Sequence, residues 1–345
     1  MAVTNFSDDY RAVRYEGAGL IDLSSRRGRI LVSGRDAAMF LNGLVTNDVK
    51  NLARGSWVPA AFANVQGRLI AAVRIIHRND GFLIDTETVT RDQVVDLLSR
   101  FTLAGDFRVT DLADEVSTLS LQGKKAAEIL ASVLGAEAAM LERGHVMQTK
   151  YDQKELAIIR ATHTAEEGFD LFIESNAFQQ LDDALWNASA EIVEDETFEV
   201  LRIEAGIPRF GIDMDENTVV SETCLDDAIS ETKGCYVGQE IIIRIKHRGH
   251  VAKKQTGIIL REAIHLEPGT AVLSEEGNEI GRVTSATISP NLGQAIAMAY
   301  LKFDYLKMRT PIRVEIDGAM HEGVVDEIPL LRASWYGVIE DRVPA

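Results

Sequence analysis

The chain has 345 residues, 46% of them hydrophobic, and a formal charge of −17 from 36 Lys and Arg against 53 Asp and Glu. That length suffices for two or three domains, and so acidic a chain repels nucleic acid on average, which argues against direct nucleic-acid binding. No apolar run approaches the roughly 20 residues needed to cross a membrane, and the two cysteines, Cys224 and Cys235, are too few for a disulfide scaffold or a four-cysteine metal site.

The first residues carry Asp8 and Asp9 and no apolar core, so they read as neither a secretory signal nor a transit peptide. The expectation is a reduced, cytoplasmic protein without a metal centre. Ile30 to Val32 is a short β run, and Asp36 is placed to cap a helix through Val45. Within that helix Met39, Phe40, Leu41 and Leu44 read as core. A β-meander follows: a strand from Trp57, a turn at Gln66-Gly67, a strand over 69–77, a turn at Asn79-Asp80-Gly81, and a strand from Phe82. The next helix sets Val94, Val95, Leu98 and Phe101 on one face.

Val116 to Leu121 alternates as a strand, and "KKAAEILASVL" is helical, with Gly135 placed to end it. Leu156 to Thr162 is a strand, "HTAEEG" a turn, "FDLFIE" a strand, and Ala177 to Ala190 a helix. This order is most of a split βαβ, ferredoxin-like unit. His163 reads as a surface residue of the turn, and the acidic run from Glu191 to Glu199 as a solvated face. From about Lys254 turn signals recur at Pro268-Gly269, Gly277-Asn278 and Asp317-Gly318. Alternation on both sides of Asp317-Gly318 marks a hairpin. The fold class is α+β, with a C-terminal antiparallel β-barrel or sandwich.

The one crowded polar stretch is "ETKGCYVGQE", residues 231 to 240. After Gly238 three isoleucines favour a strand, whereas Gln239 and Glu240 at the start and basic residues at the end favour a helix. In the helical case Cys235 lies just before the N-terminus, where amide donors and Lys233 would favour a thiolate. The alternative is an inert cysteine in a tight turn. From Arg244 to Lys254 seven of eleven residues are Arg, Lys or His, including Lys246, Arg248 and Lys253. That run is either a local anion site or a solvated helix end.

At Lys233-Gly-Cys-Tyr-Val-Gly-Gln-Glu the chain resembles the folate-binding YgfZ family, itself related to the glycine-cleavage T-protein. The wider resemblance covers nearly the whole chain, through "AGLIDLSSRRGRILVSG", "HTAEEGFDLFIE", "LRIEAGIPRFGIDMD" and "GNEIGRVTSATISPNLGQAIAMAYL". It implies a three-domain cloverleaf, with ferredoxin-like antiparallel α/β subdomains around a folate cavity and a C-terminal antiparallel β-barrel. The folate-binding region would span 1–253, as two intertwined subdomains split near 50–115, and the barrel 254–345.

The resemblance implies tetrahydrofolate as cofactor, and the charge of the basic run alone suggests that Arg244, Lys246, Arg248, Lys253 and Lys254 attract the polyglutamate tail of cellular folates. A partner protein is the other use of that patch. Glu166 matches the family's pterin-anchoring glutamate. Asn64, Arg202, Glu204, Gly234, Tyr236, Gly238, Gln239 and Glu240 complete the implied folate site, with Cys235 and Lys233 as catalytic candidates. The T-protein has Asn-x-x-Gly-x-x-x-Asp-Asp where this chain has Asn64 to Ala72, so both carboxylates are alanine, Ala71 and Ala72. An alanine can neither accept a proton nor offset developing charge. The resemblance therefore implies a YgfZ-like protein in iron–sulfur cluster assembly or maintenance, partnered by cluster client or assembly proteins, with indirect effects on tRNA modification. The alternative is a folate-dependent aminomethyl- or methyltransferase acting on a small-molecule donor.

Overall fold

The structure is a computed structural model describing residues 7–101 and 105–337. In chain order it runs α1 (Asp8–Arg11), β1 (Ala18–Asp22), β2 (Arg27–Ser33), α2 (Ala37–Leu44), β3 (Trp57–Ala63), β4 (Leu69–Arg78), β5 (Gly81–Glu87), α3 (Thr88–Ser99) and β6 (Arg108–Asp111). It continues with β7 (Val116–Gln122), α4 (Ala126–Leu134), α5 (Ala136–Ala139), β8 (Val146–Tyr151), β9 (Lys154–Arg160), β10 (Gly168–Glu174), α6 (Phe178–Asn187), β11 (Ala190–Ile192), α7 (Asp195–Ala205) and α8 (Gln239–Arg248). Strands β12 (Lys253–Leu260), β13 (Ala271–Leu273), β14 (Glu279–Ser289), β15 (Gln294–Lys302), β16 (Pro311–Ile316) and β17 (Ala319–Asp326) complete it.

Two sheets share one plan. The first has the order β3-β4-β5-β2-β6 and the second β11-β1-β7-β10-β9-β8. Without the edge strand β3, the first is a split βαβ arrangement, in which β2 pairs with both β5 and β6. Without β8 and the inserted β1, the second is the same. What read as a simple meander over 57–87 is thus half of a ferredoxin-like unit, because β2 closes it across a long gap in sequence. Each unit has its own helix-covered core, one around Leu41, Ile75 and Leu98, the other around Leu121, Leu130 and Phe169. The uncovered sheet faces pack on one another through Ile76 and Leu83 of the first and Ile159 and Phe172 of the second.

The third body is a closed antiparallel barrel, β12-β15-β14-β13-β16-β17, sealed by β12 pairing with β17. Asp317-Gly318 forms its expected hairpin turn, since β16 pairs with β17 up to Ile316 and Ala319. Helix α7 carries the barrel: Ile203 packs on Ile296 and Leu330, and Arg202 donates to Asp213 at 2.8 Å and to Ser285 of β14 at 2.9 Å. Gly206 ends α7 in the left-handed region, with φ 65, and a Cβ there would lie 2.1 Å from Ile328. Only glycine allows the barrel's following segment to sit so close. Among the described residues no helix is long and apolar enough to cross a membrane.

Three local expectations are corrected. Asp36 does not cap α2; its carboxylate instead accepts the Asp106 amide at 2.8 Å. Met39 is exposed on the outer face of α2, and Phe101 falls beyond α3 and is exposed.

Candidate active-site cavity

A cavity of about 860 Å³ opens where the two sheets and the barrel meet. Its walls come from β3 (Trp57, Pro59), β4 (Ala72, Arg74), the β9–β10 turn (Thr162, His163), α7 with its following loop (Phe198, Arg202, Arg209), the 224–228 loop, β12 (Lys254, Gln255) and the 327–336 segment (Arg332, Trp335, Tyr336). The volume falls within the ~300–1,000 Å³ typical of small-molecule sites. Arg26, Arg27, Arg74, Arg202, Arg209, Lys254 and Arg332 line it against Glu87, Asp226, Asp227 and Glu327. Each of these cations is paired with a carboxylate in the wall or just behind it, such as Arg202 with Asp213, Arg209 with Glu199, Lys254 with Asp226 and Arg332 with Glu327.

Behind the wall lies a buried charge network. Arg27 clamps Asp85 with two bonds, at 3.0 and 2.6 Å, and Arg74 reaches Asp85 at 2.6 Å and Asp170 at 2.5 Å. Asp170 also accepts from Ser120 at 2.6 Å and lies 2.9 Å from Nε2 of His163. Burial opposes ionisation of both aspartates, but their partners outweigh it. His163, Arg74 and Ser120 hold Asp170 well below the usual carboxylate range, and Arg27 and Arg74 do the same for Asp85. Gln122 fixes the turn above, accepting from the His163 amide at 2.9 Å and donating to the Ala161 carbonyl at 3.0 Å. His163 is therefore a cavity residue and not the surface residue expected. Its location was hidden because its partner, Asp170, is on the far strand of the turn.

Among the described residues, two uncharged polar side chains on the cavity wall have buried atoms without a partner: both amide atoms of Gln255, which is 3% exposed, and Trp57 Nε1. Orphaned groups of this kind are costly unless something else satisfies them. Cys224 also lines the cavity, and burial pushes its thiol up to about 12, keeping it protonated.

The expected site residues are distributed differently. Arg202 lines the cavity, though its guanidinium is committed to Glu199, Asp213, Ser285 and the Ile207 carbonyl. Glu166 is off the cavity wall, buried, with its carboxylate accepting from the Ser334 amide at 3.1 Å and hydroxyl at 2.5 Å, and from Arg14 at 3.4 Å. Glu204 is buried against Tyr10, Arg14 and Ser289. Asn64 caps its own turn through the Gln66 and Arg68 amides. Each of these three side chains already has protein partners.

Lys233 of the cysteine motif clamps the end of α2. The segment after Gly238 is a helix, α8, which settles the helix-or-strand alternative. Lys233 is buried and donates to the carbonyls of Asn42, Val45 and Asn47 at 2.8, 2.7 and 2.6 Å, at the C-terminal end of α2. Burial pushes its amine down to about 8. Tyr236 is buried in a cluster with Ala61, Leu69 and Ile242. At Gly238, φ 82, a Cβ would lie 2.5 Å from the Asn64 carbonyl, so only glycine lets α8 start against that turn. Gly234, Cys235, Tyr236, Gly238, Gln239 and Glu240 do not line the cavity, and Cys235 is exposed.

The basic run is split as well. Arg244 and Lys246 are exposed on α8, with Lys246 paired to Glu231 at 2.6 Å, and Lys253 lies over the Tyr300 ring at 5.0 Å. Of the members whose side chains are described, Lys254 alone lines the cavity, 2.9 Å from Asp226. The Arg248 side chain lies outside the described residues.

The two alanines have different surroundings. Along β4 successive side chains alternate faces. Ala71 is buried in the first unit's core, and Ala72 lines the cavity with Arg74. Only position 72 could ever present a group to a ligand.

Comparison with known proteins matches these features. Residues 2–233 match the GCVT N-terminal domain and residues 253–331 the glycine cleavage T-protein C-terminal barrel domain. The chain is 31% identical over 294 residues to an aminomethyltransferase of Rubrobacter xylanophilus, covering 85% of this chain and 78% of that protein. It is 31% identical over 336 residues to an aminomethyltransferase of Chlorobium phaeovibrioides, covering 94% and 90%. Its fold is similar to that of glycine cleavage system aminomethyltransferase T from Bartonella henselae, with a TM-score of 0.85 at 22% identity over 94% of this chain and 88% of that one. Relatives named aminomethyltransferase along most of the chain overturn the expectation of an iron–sulfur maintenance protein distinct from the standard transferases. With both domains matched in order, the chain belongs to the glycine cleavage T-protein family.

Proposed function

We propose that this protein binds tetrahydrofolate in the central cavity and transfers an aminomethyl or methyl group to it from a small-molecule donor. The observation that carries the reading is the unpartnered Gln255 amide on the wall of a cavity of about 860 Å³. A pterin edge alternates hydrogen-bond donors and acceptors, and a carboxamide can meet both at once. Trp57 Nε1 is a second donor awaiting a partner, and Phe198, Trp335 and Tyr336 offer flat apolar wall for the rings. The glutamate tail is anionic, and Lys254, Arg209 and Arg332 suit it. When bound, tetrahydrofolate supplies the amine nitrogen that accepts the one-carbon unit.

The cavity walls bind and orient the folate and exclude water. Polyglutamyl folates extend the same reading, since Arg244 and Lys246 stand exposed on α8, which precedes the strand carrying Lys254. The test is incubation with tetrahydrofolate and a panel of aminomethyl and methyl donors, with one-carbon-loaded folate read by mass spectrometry. Failure of tetrahydrofolate to raise the melting temperature would overturn the reading at its first step.

A further inference from the structure

We infer that His163 and Asp170 form the proton-handling pair of this cavity, with His163 as the general base for the transfer. The inference deepens the folate-transferase reading and rests on it. Where the family's motif places a carboxylate, Ala72 offers only a methyl group to the cavity. Two residues along the same face of β4, Arg74 holds Asp170 at 2.5 Å, and Asp170 holds Nε2 of His163 at 2.9 Å. Two side chains thus connect the cavity face of β4, beside the position that lacks a carboxylate, to a cavity-lining imidazole.

The geometry also sets the tautomer. Nε2 faces an ionised carboxylate and so carries the hydrogen, which leaves the lone pair of the neutral ring on Nδ1. Asp170 stays ionised because Ser120 and Arg74 also donate to it. The other charges around the pair are Asp85 on β5 and Arg27 on β2, which neutralise each other at 2.6 Å. The ring itself is held in place: the His163 amide is bound by Gln122, and the Phe198 ring meets the imidazole edge-on at 6.3 Å. A base oriented by a buried carboxylate is the arrangement proton transfer requires.

For a donor whose one-carbon unit is joined to a group X, the step balances as follows. His163 Nδ1 takes the proton from the acceptor amine as the new nitrogen–carbon bond forms. The carbon–X bond breaks with its electron pair remaining on X, and His163 then returns the proton to X. No oxidant or further reactant is consumed.

The test uses the full chain. With His163→Gln, which can keep a hydrogen bond to Asp170, kcat should fall about 100- to 10,000-fold while the tetrahydrofolate Kd moves less than about threefold. With His163→Ala, free imidazole should restore part of the lost rate, a response that a merely structural histidine would not give. Independently of turnover, diethyl pyrocarbonate should modify His163 in the free protein, and tetrahydrofolate should block it. Normal turnover by His163→Gln, or no rescue of His163→Ala by imidazole, would overturn the assignment and leave the folate reading intact. Absence of tetrahydrofolate binding by the native protein would overturn both.

Discussion

Arg74 donates to Asp170 at 2.5 Å from a strand of the opposite sheet, 96 positions away in the chain. The same guanidinium holds Asp85 at 2.6 Å within its own sheet. One arginine therefore joins the two ferredoxin-like units at the wall of the cavity.

Removing that arginine leaves two buried carboxylates short of a partner. Arg74→Met should cost about 3 kcal/mol of stability, within the range for breaking a buried ion pair. Urea denaturation followed by circular dichroism measures it, and an unchanged midpoint would show that Arg27, His163 and Ser120 suffice.

Acid should destabilise the protein through the same carboxylates. Asp85 and Asp170 titrate lower in the folded protein than in the unfolded chain, where aspartate titrates near ~3.9. The unfolded chain thus binds more protons at acid pH. The stabilisation is present above about pH 5 and is lost as pH falls toward the folded-state values. Urea midpoints at descending pH should drop, and Asp170→Asn, where folded, should show a shallower dependence.

Gln255 offers a test with opposite signs for ligand and fold. Gln255→Met replaces an unpartnered buried amide by an apolar chain of similar size. The free protein should gain about 1 kcal/mol, whereas tetrahydrofolate binding should weaken about tenfold. Thermal melts with and without ligand read both, and a loss of stability in the free protein would mean that the amide has a partner.

Lys233 should matter to stability and not to the cavity. Lys233→Met strands three carbonyls at the end of α2 and should cost about 3 kcal/mol. The tetrahydrofolate Kd of the folded variant should stay unchanged. A weakened Kd at full stability would return the motif to the binding site.

The two thiols should separate under labelling. Cys235 is exposed and should react with iodoacetamide in the native protein. Cys224, its thiol pushed up to about 12 by burial, should react only on unfolding. Tryptic mass spectrometry distinguishes them.

Much of the architecture was legible in the chain itself. The turn signals on either side of 69–77 and the alternation around Asp317-Gly318 mark strands, and the motif order placed the wider T-protein family and its barrel, though not the subfamily. Tertiary structure decided which side chains share the cavity. The alternation of β4 sends Ala71 into a core and Ala72 to the ligand side. Lys233 is taken up by carbonyls 186 to 191 residues away, and Glu166 by a serine 168 residues away. His163 gains its role from a carboxylate across a turn and an arginine on another sheet. Local pattern fixes the direction of each side chain along its own element. Which elements then face each other across the cavity depends on long-range packing, and that packing assigns the chemistry.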